Sequence, residues 1–275
     1  MKFLRNIFIA LSAIVLVTLG IDAADNRDDF SKSIARKAFG ISDAPCPDDM
    51  VLVLSENGNF CIDRYEASPG EECVIADPKS GSETQININE KDCRPISMKR
   101  AVPWRFVSQT QASILCAKAG KRLPTDEEWY LSALGTPDAS SGWGSDDCQV
   151  SENWSSQPGE TGSGVNCVSA AGAYDMVGNV WEWVKGEVRD GMLAGVKLPP
   201  QGYVSAVDSR GLPIETAETP DPMHNNDYAW FKGSGVRGVA RGGYWNNESQ
   251  AGNFSLYMVS MPDFTGSAVG FRCVK

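Results

Sequence analysis

Arg241-Gly-Gly-Tyr-Trp245, followed by Asn246-Asn-Glu-Ser-Gln-Ala-Gly-Asn-Phe254, then Pro262 and the final run Val269-Gly-Phe-Arg-Cys-Val-Lys275, is the stretch that decides the fold. It mixes paired glycines, aromatic anchors and two arginines flanked by small or apolar residues, a composition suited to a closely packed irregular scaffold. Three further segments share this character: Phe60-Cys-Ile-Asp-Arg-Tyr-Glu66, Gly120-Lys-Arg-Leu-Pro-Thr-Asp-Glu-Glu-Trp129 and Asp175-Met-Val-Gly-Asn-Val-Trp-Glu-Trp183. An apolar fraction of 42% and a charged fraction of 22% describe a globular chain, and 275 residues suffice for a substantial core. The net charge of −10 argues against nucleic acid as a partner, which would need clustered Lys and Arg.

The beginning of the chain has the order of a secretory signal. Lys2 and Arg5 precede an apolar run from Ile7 to Leu19, with small residues at Gly20, Ala23 and Ala24. Residues 1–24 are therefore expected to be a signal peptide cut after Ala23 or Ala24. An uncleaved anchor is the alternative, and only in that case is a membrane a partner. Residues 25–44 are polar with a weak helical pattern and read as a linker or short helix; residues 45–275 form the domain. Eight cysteines, an even number with no Cys-x-x-Cys pair, in an exported chain point to disulfides rather than metal. The single histidine, His224, cannot furnish a His-rich zinc or iron site.

Met50–Leu54 and Phe60–Tyr65 read as strands about an Asn57-Gly58 turn, with Cys46 and Cys61 placed to bridge the hairpin. Cys73 and Cys93 close a polar loop over residues 66–95, and Cys148 and Cys167 lie in an irregular stretch over 136–170. Two helices are expected. Ser108 with Gln111 and Thr125 with Glu128 form capping boxes, and Gly120 and Gly135 stand where helices end. Asp126, Glu127 and Glu128 fall in the first turn of the second helix, where the backbone dipole favours acidic residues, so they are read as structural rather than catalytic. Residues 186–235 read as an excursion with short strands.

Taken together, the four segments resemble the formylglycine-generating enzyme family, or sulfatase-modifying-factor domain, over residues 46–275. The resemblance implies an α+β, loop-rich, disulfide-bonded variant of the C-type lectin fold, with a small antiparallel sheet and two helices. It implies a Cys116–Cys273 disulfide. It also implies one calcium ion, held by the Asp175 side chain, the Gly178 and Val180 carbonyls and the Glu182 carboxylate; the alternative is that Glu182 is tied to an arginine or to backbone amides. The enzymes of the family use two copper-binding cysteines beyond the Arg-Gly-Gly segment. Here the first of those positions falls on Asn247 and no cysteine lies between Tyr244 and Val269, so no copper site is expected, since Asn and Ser do not replace thiolates toward a soft metal. Iron-dependent relatives need a histidine cluster that one histidine does not supply.

The closing segment is also similar to the variable region of proteins diversified by diversity-generating retroelements, which bind ligands on this fold. Trp245, Ala251, Gly252, Phe254, Pro262, Gly270, Phe271 and Arg272 match the fixed positions. The resemblance implies a ligand-binding surface within residues 245–268, made of Asn246, Asn247, Ser249, Asn253, Tyr257, Val259, Ser260, Phe264, Gly266, Ser267 and Ala268. Glu248, Gln250, Met258 and Met261 cannot arise from Asn codons by change at adenines. The expected function is thus an exported, non-catalytic binding protein that is secreted, periplasmic or on the cell surface, with a protein or surface ligand as partner. A sulfatase-modifying enzyme acting on protein cysteine, or an inactive structural relative, is the alternative.

Overall fold

The computed structural model describes residues 45–275. The expected signal segment (1–24) and the linker or helix (25–44) lie outside the described residues. Strands β1 (Met50–Val53) and β2 (Phe60–Asp63) form the hairpin, in register from Met50↔Asp63 to Val53↔Phe60, and the Cys46–Cys61 disulfide clips its base. The far edge of β2 carries the end of the chain: Asp63 N donates to Cys273 O, and Cys61 and Lys275 exchange both main-chain hydrogen bonds.

Strands β3 (Ala67–Pro69) and β4 (Pro95–Ser97) pair antiparallel, and the loop between them is closed by Cys73–Cys93. That loop contains helix α1 (Gly81–Asn89), where the sequence reading has no element. Its buried residues are Thr84 and Asn87, so no apolar period marks it. Polar pairing replaces apolar packing. Asn87 exchanges two hydrogen bonds with the main chain of Ile75, and Thr84 Oγ1 accepts from Trp104 Nε1 while donating to Phe106 O. The two expected helices, α2 (Gln109–Lys118) and α3 (Asp126–Ala133), both start in capping boxes, with Ser108 and Thr125 as N-caps. Gly120 and Gly135 take up positive φ beyond their ends, as helix termination requires.

The sheet is larger than the small antiparallel one expected, and among the described residues there are three α-helices rather than two. Nine strands form it: β5 (Trp181–Arg189), β6 (Met192–Leu193), β7 (Val196–Lys197), β8 (Gly202–Val207), β9 (Pro213–Ala217), β10 (Tyr228–Phe231), β11 (Val236–Arg241), β12 (Leu256–Met258) and β13 (Val269–Phe271). The order is β7-β6-β5-β11-β12-β10-β8-β9, with β13 alongside β5. It is mixed, because β10–β12 and β13–β5 run parallel. The excursion at 186–235 supplies β6 to β10. Its strands are short and separated by Gly and Pro: β6 pairs with β5 across Asp190-Gly191 and with β7 across Ala194-Gly195, β8 pairs with its neighbour β9, and β10 is the one held by distant partners, β8 and β12.

Two apolar clusters flank the sheet. One joins the hairpin and α3 to the sheet through Ile62, Trp129, Met176, Val184, Leu256 and Val274. The other lies against α2 and contains Trp104, Leu115, Trp183 and Phe271, with the buried Cys116–Cys273 disulfide among them. That disulfide spans 157 residues. Chain-entropy reasoning for a loop of this length gives a stabilisation of about 5 kcal/mol. The double variant Cys116→Ser, Cys273→Ser is expected to lose stability on that order in denaturant titration, whereas loss of Cys46–Cys61, with a separation of 15, is expected to cost less.

Candidate functional site

The four segments that suggested the fold converge on two buried arginines. Arg272, fully buried, sets its Nε and Nη2 against the Glu182 carboxylate at 2.6–2.9 Å and donates to the carbonyls of Tyr174 and Asp63. Trp129 Nε1 donates to the other side of Glu182 at 2.7 Å. Arg241 reaches the start of α3, where its Nε and Nη2 grip Asp126 at 2.7 and 2.8 Å. The acidic first turn is thereby accounted for: Asp126 pairs with Arg241, Glu128 with Arg122, and Glu127 accepts from Asn57. Gly242 and Gly243, both at positive φ, bring the chain past Met176 O and Ala251, where a Cβ would collide.

Around Arg272 stand three buried carboxylates, Glu66, Asp175 and Glu182. Glu66 accepts from Asn179 Nδ2 and Val180 N, and Asp175 Oδ2 from Gly162 N. Burial, with the charges of Asp175 and Glu182 added, pushes Glu66 well above the usual carboxylate range. Burial likewise raises Asp175 to about 7. Asp175 Oδ1 is buried with no hydrogen-bond partner. The excess of negative charge and this free oxygen suit a cation. Glu182 is the weak member of the calcium set, because Arg272 and Trp129 already engage both its oxygens: the arginine tie named as the alternative is present. Among the described residues no three His, Cys, Asp or Glu side chains stand together as a metal group. An ion here would therefore rest on Asp175 and on main-chain carbonyls such as those of Gly178 and Val180, with Glu182 shared.

In the closing segment the matched fixed positions Trp245, Phe254 and Pro262 are half-buried. Ala251, Gly252, Leu256, Met258, Gly270, Phe271 and Arg272 are buried. None of the eleven nominated surface residues is: Asn246, Phe264 and Ser267 are exposed, and Asn247, Ser249, Asn253, Tyr257, Val259, Ser260, Gly266 and Ala268 are half-buried. They do not share one environment. Asn246 bridges to Ser151 and Asn253 contacts Thr136 and Asp138, whereas Gly266 O accepts from Phe106 N and Ser260 O from Gly238 N. Asn247 Oδ1 accepts from Tyr244 N, so the position at which the enzymes carry a thiolate is here a turn-forming amide.

A row of aromatic rings runs from Tyr257 of this segment into the sheet, and its other members carry no expectation from sequence. Tyr203, Tyr228, Trp230, Trp181 and Tyr257 contact in succession with centroids 4.8–5.7 Å apart, and all but Trp181 are half-buried. Gln250 Nε2 reaches Tyr203 Oη, and the Tyr257 hydroxyl bonds Ser260 Oγ. Partly exposed aromatics with polar tips are apt contact groups. The sequence signal was faint: alternation in Tyr228-Ala-Trp-Phe231 and a lone Tyr203 within the excursion.

All eight cysteines are in disulfides, the fourth being Cys148–Cys167, and none is free. Four disulfides fit an oxidising compartment. His224 lies against Asp221 and the Phe254 ring.

A disulfide-bonded, sheet-rich domain whose motifs lock together through buried arginine–carboxylate pairs is the formylglycine-generating type of C-type lectin-like fold. The chain belongs to the sulfatase-modifying factor enzyme 1-like domain family, which matches residues 54–275. It is similar to the hercynine oxygenase of Mycobacterium tuberculosis (strain ATCC 25618 / H37Rv), 26% identical over 249 residues, covering 82% of this chain and 51% of that protein. It is similar also to the inactive C-alpha-formylglycine-generating enzyme 2 of Bos taurus, 37% identical over 150 residues, covering 48% of this chain and 50% of that protein. The chain spans about half the length of these curated relatives. Among solved structures, the Major Tropism Determinant I1 variant is 18% identical with a TM-score of 0.44, covering 83% of this chain and 52% of its own. The Treponema denticola variable protein 1 is 16% identical with a TM-score of 0.41, covering 82% and 90%.

An acid whose pKa is raised on folding favours the protonated form in the folded state. Stability therefore falls as pH rises from the unfolded carboxylate range, about 4, and levels off above the folded value. With Asp175 at about 7 and Glu66 shifted the same way, chelator-treated protein is expected to lose stability between those limits. Asp175→Asn is expected to flatten that slope, measured by denaturant titration at a series of pH values.

Proposed function

We propose that this chain is an exported, non-catalytic binding protein on a formylglycine-generating-enzyme-like scaffold, with residues 245–268 as a diversified surface. The observation that carries the reading is the absence of any free thiol: every cysteine is in a disulfide, and Asn247 stands at the first thiolate position. Soft-metal thiolate chemistry has no ligand to start from. Further support comes from the closing segment beside the aromatic row, where five of the eight matched fixed positions are buried and none of the nominated surface positions is. The ligand is a protein or a surface component; the acidic chain is unsuited to nucleic acid, and a membrane enters only through an uncleaved N-terminal segment. A secreted, periplasmic or cell-surface location agrees with the disulfides. Family membership does not decide between binding and catalysis, since the relatives' names include both an oxygenase and an inactive enzyme.

The diversified reading is tested in the genome. A reverse transcriptase gene nearby and a near-copy of the coding sequence for residues 245–272, differing only at adenines, are expected; a locus without them sinks it. The enzymatic alternative is tested with purified protein, copper and a Cys-containing sulfatase peptide. No formylglycine is expected, and its formation would overturn the non-catalytic reading.

Calcium at Asp175, Gly178, Val180 and Glu182 is part of the proposal, supported by the unpaired Asp175 oxygen and the surplus buried charge. At about pH 8, where Asp175 is ionised, a chelator is expected to lower the melting temperature of the parent more than that of Asp175→Asn. Equal shifts in both would remove calcium from this set.

A further inference from the structure

A second set of buried carboxylates lies under the closing segment, away from the Arg272 cluster. Asn253 N donates to Asp138 Oδ2 at 2.9 Å, and the next amide, Phe254 N, donates to Asp227 Oδ2 at 2.6 Å. Two successive amides of one chain thus hold two carboxyl groups side by side. The Oδ1 of Asp227 is buried and accepts no hydrogen bond; that of Asp138 has no partner at ordinary hydrogen-bond distance, although the Asn225 side chain comes close enough to this carboxyl group to favour its charged form. Asp227 is 0% exposed. Gly252 is required at its position because a Cβ there would run into the Asp227 carboxylate.

Neutral oxygens in the three loops that these hydrogen bonds bring together are also unmet. Asn253 turns its Nδ2 to Thr136 O at 3.4 Å, and its Oδ1 is buried without a donor. Asn226 Oδ1, beside Asp227 in the chain, is in the same condition. So is the hydroxyl of Thr136, a residue 4% exposed. Asn225 and Asn226 both adopt left-handed backbone, which turns the chain sharply into Asp227.

Each buried acceptor without a donor is destabilising, and like charges add to that. Burial raises Asp138 to about 6, and burial together with the Asp138 charge raises Asp227 well above its ordinary value. Arg241 acts on Asp227 only through space, its Nε and Nη2 being committed to Asp126 and its Nη1 left unpaired. A proton or a water would satisfy one or two of these oxygens. A hard divalent cation held by the two carboxylates would balance their charge and could recruit the neutral oxygens of the same loops. The irregular arrangement, drawn from three separate loops, suits the flexible coordination of calcium better than the strict octahedron of magnesium.

We infer that Thr136, Asp138, Asn226, Asp227 and Asn253 form a calcium-class cation site that pins the closing segment to the loops before it. The site differs in composition from a carboxylate-rich centre: two Asp side chains, with neutral amide and hydroxyl oxygens making up the rest. One of its members, Asn253, belongs to the proposed binding surface, so occupancy would fix the backbone on which that surface is displayed.

The test uses the full chain, freed of metal with chelator and titrated with calcium by calorimetry, with melting followed in parallel. Binding at or below about 1 mM and a rise in melting temperature of several degrees are expected. Asp138→Asn and Asp227→Asn, close in shape to the parent, are each expected to weaken that binding at least about tenfold. Asp175→Asn is expected to retain it, which separates this site from the one proposed near Arg272. Asn253→Ala leaves both carboxylates in place and is expected to weaken binding severalfold; it also covers the case in which an Asp variant does not fold. The inference is overturned if no calcium binds up to about 10 mM, or if the isotherm is unchanged in the Asp138, Asp227 and Asn253 variants. It is overturned equally if both Asn variants raise the melting temperature of chelated protein and no metal binds, because the pair then shares a proton. None of these results depends on whether the closing segment is diversified.

Discussion

The pairing of Arg272 with Glu182 is the contact from which the rest of the architecture hangs. It ties the residue just after β13 to β5, beside which β13 already runs parallel, and Trp129 ties α3 to the same carboxylate. Main-chain carbonyls of the hairpin and of the Tyr174 loop complete the arginine's partners. A buried ion pair of this kind adds little net stability compared with apolar packing, but removing one partner strands a charge, at a cost of about 3–5 kcal/mol. Its value lies in register. An arginine with so many fixed acceptors admits one placement of the last strand, and Cys116–Cys273, one residue on, holds that placement covalently.

A domain with this many buried acids would be expected to offset each with a base, and it does so only in part. Asp126, Glu182 and Asp63 have Arg241, Arg272 and Lys121 as partners. Glu66, Asp175, Asp138 and Asp227 have hydrogen bonds from amides and no ion pair among the described residues. The four unpaired acids fall in two places, both beneath loops rather than beneath the regular sheet. Loops cannot satisfy their own backbone, so buried carboxyl groups serve as acceptors for amides that strands would otherwise have used.

Much of this was legible in the sequence where the information is local. The hairpin announced itself by Asn57-Gly58, the helices α2 and α3 by Ser108-Gln111 and Thr125-Glu128, and all four disulfides by cysteines flanking loops or by the family resemblance. Helix α1 was not legible, because Thr84 and Asn87 bury through hydrogen bonds and leave no apolar stripe. The full sheet was not legible either, since parallel pairing of β10 with β12 and of β13 with β5 is decided by distant residues. At the site, the pattern of residues 245–268 is local to one segment, whereas the aromatic row and the Asp138–Asp227 pair come from segments that meet only on folding.

The span of the Cys116–Cys273 disulfide also governs what a cut can do. It encloses the excursion that carries Met223, a residue 86% exposed, along with most of the sheet. A protease that nicked the backbone near Met223 would leave two pieces that remain one molecule, joined through sulfur at one end and laced into a common sheet along the rest. They would part on a gel only after reduction. On such a frame, damage to one loop neither sheds the last strand nor releases Arg272 from its partners.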